Sequence, residues 1–387
     1  VFIYSLVQLQ LVFKYKKYKR NLEKRINSVT KENSFPMVTL QLPLFNERYV
    51  AERLIDAVLA LDYPKDKLEI QILDDSTDDT TAIIQKKLDG LGSDSNIKLI
   101  RRPNREGFKA GALAYGLEIA EGELIAIFDA DFIPKVNFLK KMVPNFQNPK
   151  VGMVQSRWEH LNENHSVLTK MQAFALDAHF SVEQGGRNAG NHFINFNGTA
   201  GVWRKKAIAE GGGWQSDTLT EDLDLSYRAQ LKGWKFLFVE EVGAPAELPA
   251  EMNALKNQQF RWNKGAAECT RKNLGKVLKN KSISFPTKVN AIFHLMNSAV
   301  FICIILLAVL SLPMLVIKHE YVQYNLLFKV ASVFLITLPI LAFFYWYSES
   351  RKEDRFWKRV GSFLYQFPTF LSISMGMSLH NAVAVLE

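Results

Sequence analysis

From Pro36 onward the chain alternates short apolar runs with amphipathic stretches. Residues 37–43, 68–73, 97–101 and 124–128 read as strands. The intervening stretches 48–61, the run ending at Leu88, and 109–119 carry helical periodicity. Near-continuous Ile, Leu and Val in strands that alternate with helices predicts an α/β domain whose parallel sheet is covered on both faces. Residues 151–158 and 234–239 read as further strands, and 165–184, 221–232 and 254–271 as helices. Between them, Phe193-Ile194-Asn195-Phe196 leads into Asn197-Gly198-Thr199-Ala200-Gly201, small residues that let backbone approach a ligand closely.

The pattern changes at both ends. Residues 1–13 are apolar and give way to Lys14, Lys16, Lys17, Lys19 and Arg20. Too short to cross about 30 Å of hydrocarbon, they read as the end of a transmembrane helix. Residues 289–317 and 326–347 are apolar over spanning length, the latter flanked by Tyr324 and by Tyr345, Trp346 and Tyr347. A third, less apolar candidate is 360–386. The division expected is 1–35 for the helix end and basic linker, 36–285 for a cytosolic domain with interfacial helices, and 286–387 for the membrane helices. The net charge of +9 gathers beside the apolar segments, at Lys276, Lys279 and Lys281 and in the loop of Arg351, Lys352, Arg355, Lys358 and Arg359. That placement indicates membrane lipid rather than nucleic acid, and puts the large domain on the cytoplasmic side. Two cysteines, Cys269 and Cys303, and histidines without ligand-like spacing leave no disulfide framework or zinc motif.

Ligands of such sheets bind beyond the carboxyl ends of the strands, where Asp74, Asp75, Asp129 and Asp131 fall. Two carboxylates spaced as Asp129-x-Asp131 in a turn can meet one hard cation, Mg²⁺ or Mn²⁺, together with phosphate oxygens; a solvated turn is the plainer alternative. Asp74 and Asp75 suit the hydroxyls or base edge of a nucleotide. Asp78 and Asp79 suit the start of a helix. Pro43 and Glu47 lie on the nucleotide-facing rim, and Lys109, at a helix start, is placed to meet phosphate. Thr220-Glu221-Asp222 reads either as a helix cap or as an acidic pair holding a general base. Gln258 and Arg261, three apart on one helical face, suit phosphate, and Trp262 offers a flat surface for a sugar ring.

The ordered set Phe45-Asn46-Glu47, Asp74-Asp75, Asp129-Ala130-Asp131, Thr220-Glu221-Asp222 and Gln258-x-x-Arg261-Trp262 resembles the processive branch of family 2 glycosyltransferases, which includes cellulose, hyaluronan and chitin synthases. The wording of 196–204 and 219–236 is similar to the cellulose-synthase-like mannan and glucomannan synthases. The resemblance implies a nucleotide-diphosphate-sugar domain of the GT-A, Rossmann-like kind with C-terminal transmembrane helices. It also implies inverting transfer of a hexose from a UDP- or GDP-sugar to a growing β-linked glycan; a lipid or lipid-linked acceptor is the alternative. It assigns Asp75 to the nucleotide, Asp129 and Asp131 to the metal, and Asp222, beside Glu221, to the general base. Gln258 and Arg261 go to the diphosphate and Trp262 to the acceptor, with Asn197, Gly198 and Thr199 expected nearby. The membrane part is short for a polysaccharide channel, which leaves room for secretion or accessory subunits. The absence of eukaryotic extensions points toward a bacterial inner membrane over a Golgi membrane.

Overall fold

The computed structural model describes residues 1–26, 35–91, 96–349 and 355–387. The chain divides into two compact units, each discontinuous in sequence. One comprises Asn21–Asn162 and Phe193–Leu248; the other comprises Val1–Arg20, Glu163–His192 and Pro249–Glu387. The region 36–285 is thus shared between them.

The first unit is built on seven strands: β1 (Val38–Leu44), β2 (Leu68–Asp74), β3 (Ile97–Ile100), β4 (Leu124–Ile127), β5 (Val151–His160), β6 (Gly201–Arg204) and β7 (Lys235–Ala246). Their order is β3-β2-β1-β4-β6-β5-β7. The β3-β2-β1-β4 half is parallel, as the alternation of strands and helices predicts. The sheet as a whole is mixed, because β6 runs antiparallel to both β4 and β5, while β5 and β7 are parallel. Four residues opening on a glycine gave β6 no periodic signal. β7 runs on through Gly243 and Pro245, which read as turn residues. The partner strand accommodates them with register shifts at Val151/Met153 and Ser156/Arg157.

Leu40, Leu42, Ile70, Ile72, Ala126 and Phe128 form the centre of the core. The opposite face of β1 and β2 is polar yet equally buried. Gln41 donates to Gln71 at 3.0 Å, and Glu69 accepts from Thr39 Oγ1 at 2.6 Å, Lys98 Nζ at 2.8 Å and the Glu121 amide at 2.9 Å. Each of these groups would be costly to bury unpaired. The helix Phe108–Glu118 packs over this ladder at Gly116, where a Cβ would come within 2.6 Å of Gln41 Nε2. This packing sets the position of the helix and therefore of Lys109 in its first turn.

The second unit is helical: Phe2–Ile26, Val167–Ala178 continuing as a π-turn over His179–Gln184, Met252–Lys279, and the C-terminal helices. Among the described residues, two segments are long and apolar enough to cross a membrane, Phe285–Glu320 and Val322–Glu349. Their most apolar windows are 0 % and 6 % buried, so these side chains face outward, as lipid requires, and do not form a protein core. The third expected span is a bent pair, Phe356–Gly376 and Ser378–Leu386, meeting at 46°. The N-terminal apolar stretch is helical and runs on through its basic residues. Residues 351–354 of the expected basic loop lie outside the described residues.

Candidate active site

The loops after β1 and β2 are tied to each other. Asn46 takes a left-handed conformation, φ 59°. Its amide donates to Ser76 Oγ at 2.9 Å, and its side-chain oxygen accepts from the Thr77 amide at 2.9 Å. Asp74, expected to touch nucleotide, is 1 % exposed. Its Oδ1 accepts from the Ser76 amide at 3.0 Å and its Oδ2 from Thr81 Oγ1 at 2.5 Å. Both oxygens are used to shape the turn, so Asp74 supports its neighbour rather than reaching a ligand. Asp75 is held by Arg102, which donates through Nε at 3.0 Å to one carboxylate oxygen and through Nη2 to the other. Arg102 also donates to the carbonyls of Glu106 at 2.7 Å and Phe108 at 3.1 Å. It fastens the turn that starts the helix of Lys109. Its sequence signal was the basic pair Arg101-Arg102 closing β3.

A Cβ at Gly111 would lie 2.0 Å from the Glu106 carbonyl oxygen and 2.6 Å from Arg102 Nη1. Gly111→Ala should therefore displace this turn and cost about 1–3 kcal/mol. The expected result is a lower melting temperature together with weakened nucleotide binding. An unchanged melting temperature would show that the turn yields without cost.

At the end of β4, Lys109 Nζ contacts Asp129 Oδ1 at 2.5 Å and the Gly198 carbonyl at 3.0 Å. Burial alone would lower the lysine pKa, but Asp129, Glu221 and Asp222 outweigh it and hold the ammonium charged. The Asp129 amide donates to Thr199 Oγ1 at 2.9 Å. Gln155 fixes the same loop, accepting from the Asn197 amide at 3.0 Å and donating to the Thr199 carbonyl at 3.1 Å. Gln155 gave no signal in the sequence beyond its place in a strand.

Gly198 has φ +79°, and a Cβ there would stand 3.3 Å from Asp222 Oδ2. The missing side chain lets the loop lie against that carboxylate. Asp222 is half-buried at the start of the helix Glu221–Leu231, and its Oδ1 accepts from the Leu223 amide at 2.8 Å. Burial, then the Glu221 charge, pushes it up to about 7. Thr220 makes no side-chain cap, so the threonine-cap reading lapses. Asp224 in the same turn is fully buried and paired with Arg228 Nε at 2.7 Å.

Asp131 is likewise pushed up to about 7, by burial first and by Asp129 second. Glu47 is raised by burial, then by Asp129 and Asp78. The structure thus brings Glu47, Lys109, Asp129, Asp131, Gly198, Glu221 and Asp222 into one electrostatic neighbourhood: several crowded carboxylates around one lysine. Among the described residues, no group of three or more His, Cys, Asp or Glu side chains is arranged to hold a metal. Two hard carboxylates that repel each other still fit a divalent cation completed by phosphate oxygens and water.

In the other unit, Gln258 and Trp262 line a cavity of about 120 Å³, together with Gln259, Met171, Met377 and Asn381. Asn381 is 2 % exposed and its side-chain oxygen has no partner. Arg261 lies on an exposed position and is not part of this lining. The i,i+4 pair 258/262, rather than the 258/261 pair, shares the cavity face.

Residues 36–265 match the family described as "Glycosyltransferase like family 2". A probable glucomannan 4-beta-mannosyltransferase 4 of Oryza sativa subsp. japonica is 44% identical over 266 residues, 67% of this chain and 48% of the relative. Glucomannan 4-beta-mannosyltransferase 9 of Arabidopsis thaliana is 39% identical over 317 residues, 78% of this chain and 58% of the relative. The chain spans about half the length of the curated relatives it matches. Among solved structures, the mannosyltransferase PcManGT from Pyrobaculum calidifontis, in complex with GDP-Man and Mn²⁺, shares the fold. Its TM-score is 0.60 at 16% identity, over 99% of this chain and 97% of that one.

Proposed function

The chain belongs to the glycosyltransferase-like family 2, and from that premise we propose that it transfers a hexose from a nucleotide-diphosphate sugar to a growing β-linked glycan, with inversion. GDP-mannose is the donor we favour. The plant relatives are glucomannan mannosyltransferases by name, and the structural neighbour carries GDP-Man. The carrying observation is Asp222. It is a half-buried carboxylate held by one backbone amide, set against the Gly198 backbone that Lys109 ties to Asp129.

In this reading Asp222 takes the acceptor hydroxyl proton, and Glu221 keeps its pKa near the working pH. Lys109 and the Asn197, Gly198 and Thr199 backbone position the sugar diphosphate. Pro43, Glu47 and Asp75 border the nucleotide. Asp129 and Asp131 would hold Mg²⁺ or Mn²⁺, and such a cation would offset charge gathering on the departing diphosphate. Gln258 and Trp262 serve the acceptor, and Arg261 the diphosphate.

The protein in proteoliposomes should be offered radiolabelled GDP-mannose, UDP-glucose and UDP-N-acetylglucosamine separately, with Mn²⁺, and the product sized. A polymer from GDP-mannose is expected. One-sugar addition to lipid would replace the polymer reading with the lipid-acceptor one. Trp262→Ala should raise the acceptor KM about tenfold through lost ring stacking while leaving the donor KM unchanged; equal effects on both would remove Trp262 from the acceptor site.

The two apolar segments fit an integral membrane protein. Of the two membranes considered, the plant relatives favour the Golgi type over the bacterial inner membrane. Fractionation of the source cell, with the protein recovered in the plasma membrane instead, would reverse that preference.

A further inference from the structure

The turn between β3 and the helix Phe108–Glu118 carries an arginine that the transfer reaction does not use. Arg105 is exposed and forms no ion pair among the described residues. Its Cζ lies 3.2 Å from the ring centroid of Phe45, on the loop after β1. A separation that short is reachable only over the ring face, so the guanidinium is stacked on Phe45. The Phe108 centroid lies 5.1 Å from the same Cζ.

Phe108 is itself unusual. Its φ is +49°, in the left-handed region that aromatic residues rarely adopt, and it is 64 % exposed. The conformation is imposed from two sides. Arg102 donates to the Phe108 carbonyl at 3.1 Å, and the Phe108 amide donates to the Arg105 carbonyl at 3.1 Å. Arg102 is in turn anchored on Asp75 at the end of β2. A strained, exposed aromatic fastened to the nucleotide-facing rim has the character of a ligand clamp, not of core packing.

We propose that Phe45 and Phe108 flank a slot for the planar base of the donor nucleotide, and that Arg105 is its displaceable occupant, a latch the base pushes aside on binding. The slot deepens the nucleotide-sugar reading above and rests on it. The guanidinium is flat and delocalised, so it covers an aromatic face in the manner of a base and competes for it. The larger faces of a purine cover more of the two rings than a pyrimidine does, so guanine displaces the latch more readily than uracil.

Calorimetric titration of the full chain in detergent with Mn²⁺ tests this, using GDP, UDP and inorganic pyrophosphate as ligands. Wild type should bind GDP more tightly than UDP. Arg105→Ala should tighten GDP binding by about two- to fivefold, the worth of an exposed cation–π contact. Phe108→Leu should weaken GDP binding by roughly tenfold through lost base stacking. Pyrophosphate, which has no base, should bind all three proteins alike. Both side chains are exposed, and matching melting temperatures confirm intact folds.

Weaker GDP binding by Arg105→Ala, a parallel change for pyrophosphate, or an unaffected Phe108→Leu would each overturn the latch while leaving the donor class standing. Wild-type protein that binds neither GDP nor UDP would instead sink the nucleotide-sugar reading, and the slot with it.

Discussion

Replacing Asp222 with asparagine should lower sugar transfer by about 10²–10⁴-fold while leaving donor nucleotide affinity nearly unchanged. Asparagine is nearly the same shape, and its side-chain oxygen can still accept from the Leu223 amide, now at 2.8 Å. What it loses is the ability to take a proton. Lys109 stays charged, because Asp129 and Glu221 both rank ahead of Asp222 among the charges that hold it so. If nucleotide binding collapsed together with transfer, Asp222 would be part of the donor site and not the base.

The same carboxylate sets a pH dependence. Its pKa is pushed up to about 7, so the competent, ionised form is lost as pH falls through that value. The transfer rate should drop about tenfold per pH unit below it. The asparagine variant should lack this limb. Stability runs the other way. Folding raises the pKa of an acid here, so the ionised group opposes the fold. That penalty is absent below the unfolded value of about 3.9 and complete above the folded one. Asp222→Asn should accordingly raise the melting temperature at pH 8 and leave it unchanged at pH 3. A rate profile flat between pH 5 and pH 8 in the wild type would refute the assignment.

The parts of this protein that were legible in the sequence are those governed by local pattern. β1, β2 and β4 announce themselves because buried parallel strands must be apolar over their whole length. Asp129 and Asp131 announce themselves because they terminate such a run. Position alone misleads at Asp74, whose carboxylate looks equivalent to that of Asp75 until the Ser76 amide and the Thr81 hydroxyl are found on its two oxygens. Polar Gln41, Glu69 and Gln71 were taken as the ordinary alternation of a strand, yet they form a buried ladder. β6 depends on partners 40 or more residues away in sequence, through pairings such as Met153 with Trp203. Arg102 is legible only as one of two adjacent arginines; its work lies in where the chain folds back to Asp75.

Asp131→Asn is the second large effect. Asp129 already has a counter-charge in Lys109 at 2.5 Å, whereas Asp131 has no ion pair among the described residues. Its burial and the neighbouring Asp129 push it up to about 7, so near neutral pH this carboxyl is poised between its two forms. A divalent cation held by the pair would displace that proton, which makes metal affinity rise with pH and metal binding release protons. Removing the charge should cost roughly 10²–10³-fold in transfer, the several kcal/mol that a cation contributes to charge stabilisation. Titration of GDP with and without Mn²⁺ gives the independent readout. Wild-type affinity should depend strongly on Mn²⁺, and the variant should bind at its metal-free level in both conditions. A variant that kept the full Mn²⁺ enhancement would place the cation elsewhere. Asp129→Asn should behave differently: it also frees Lys109, whose ammonium can then reach the diphosphate, so the variant should retain more metal-free GDP binding than Asp131→Asn.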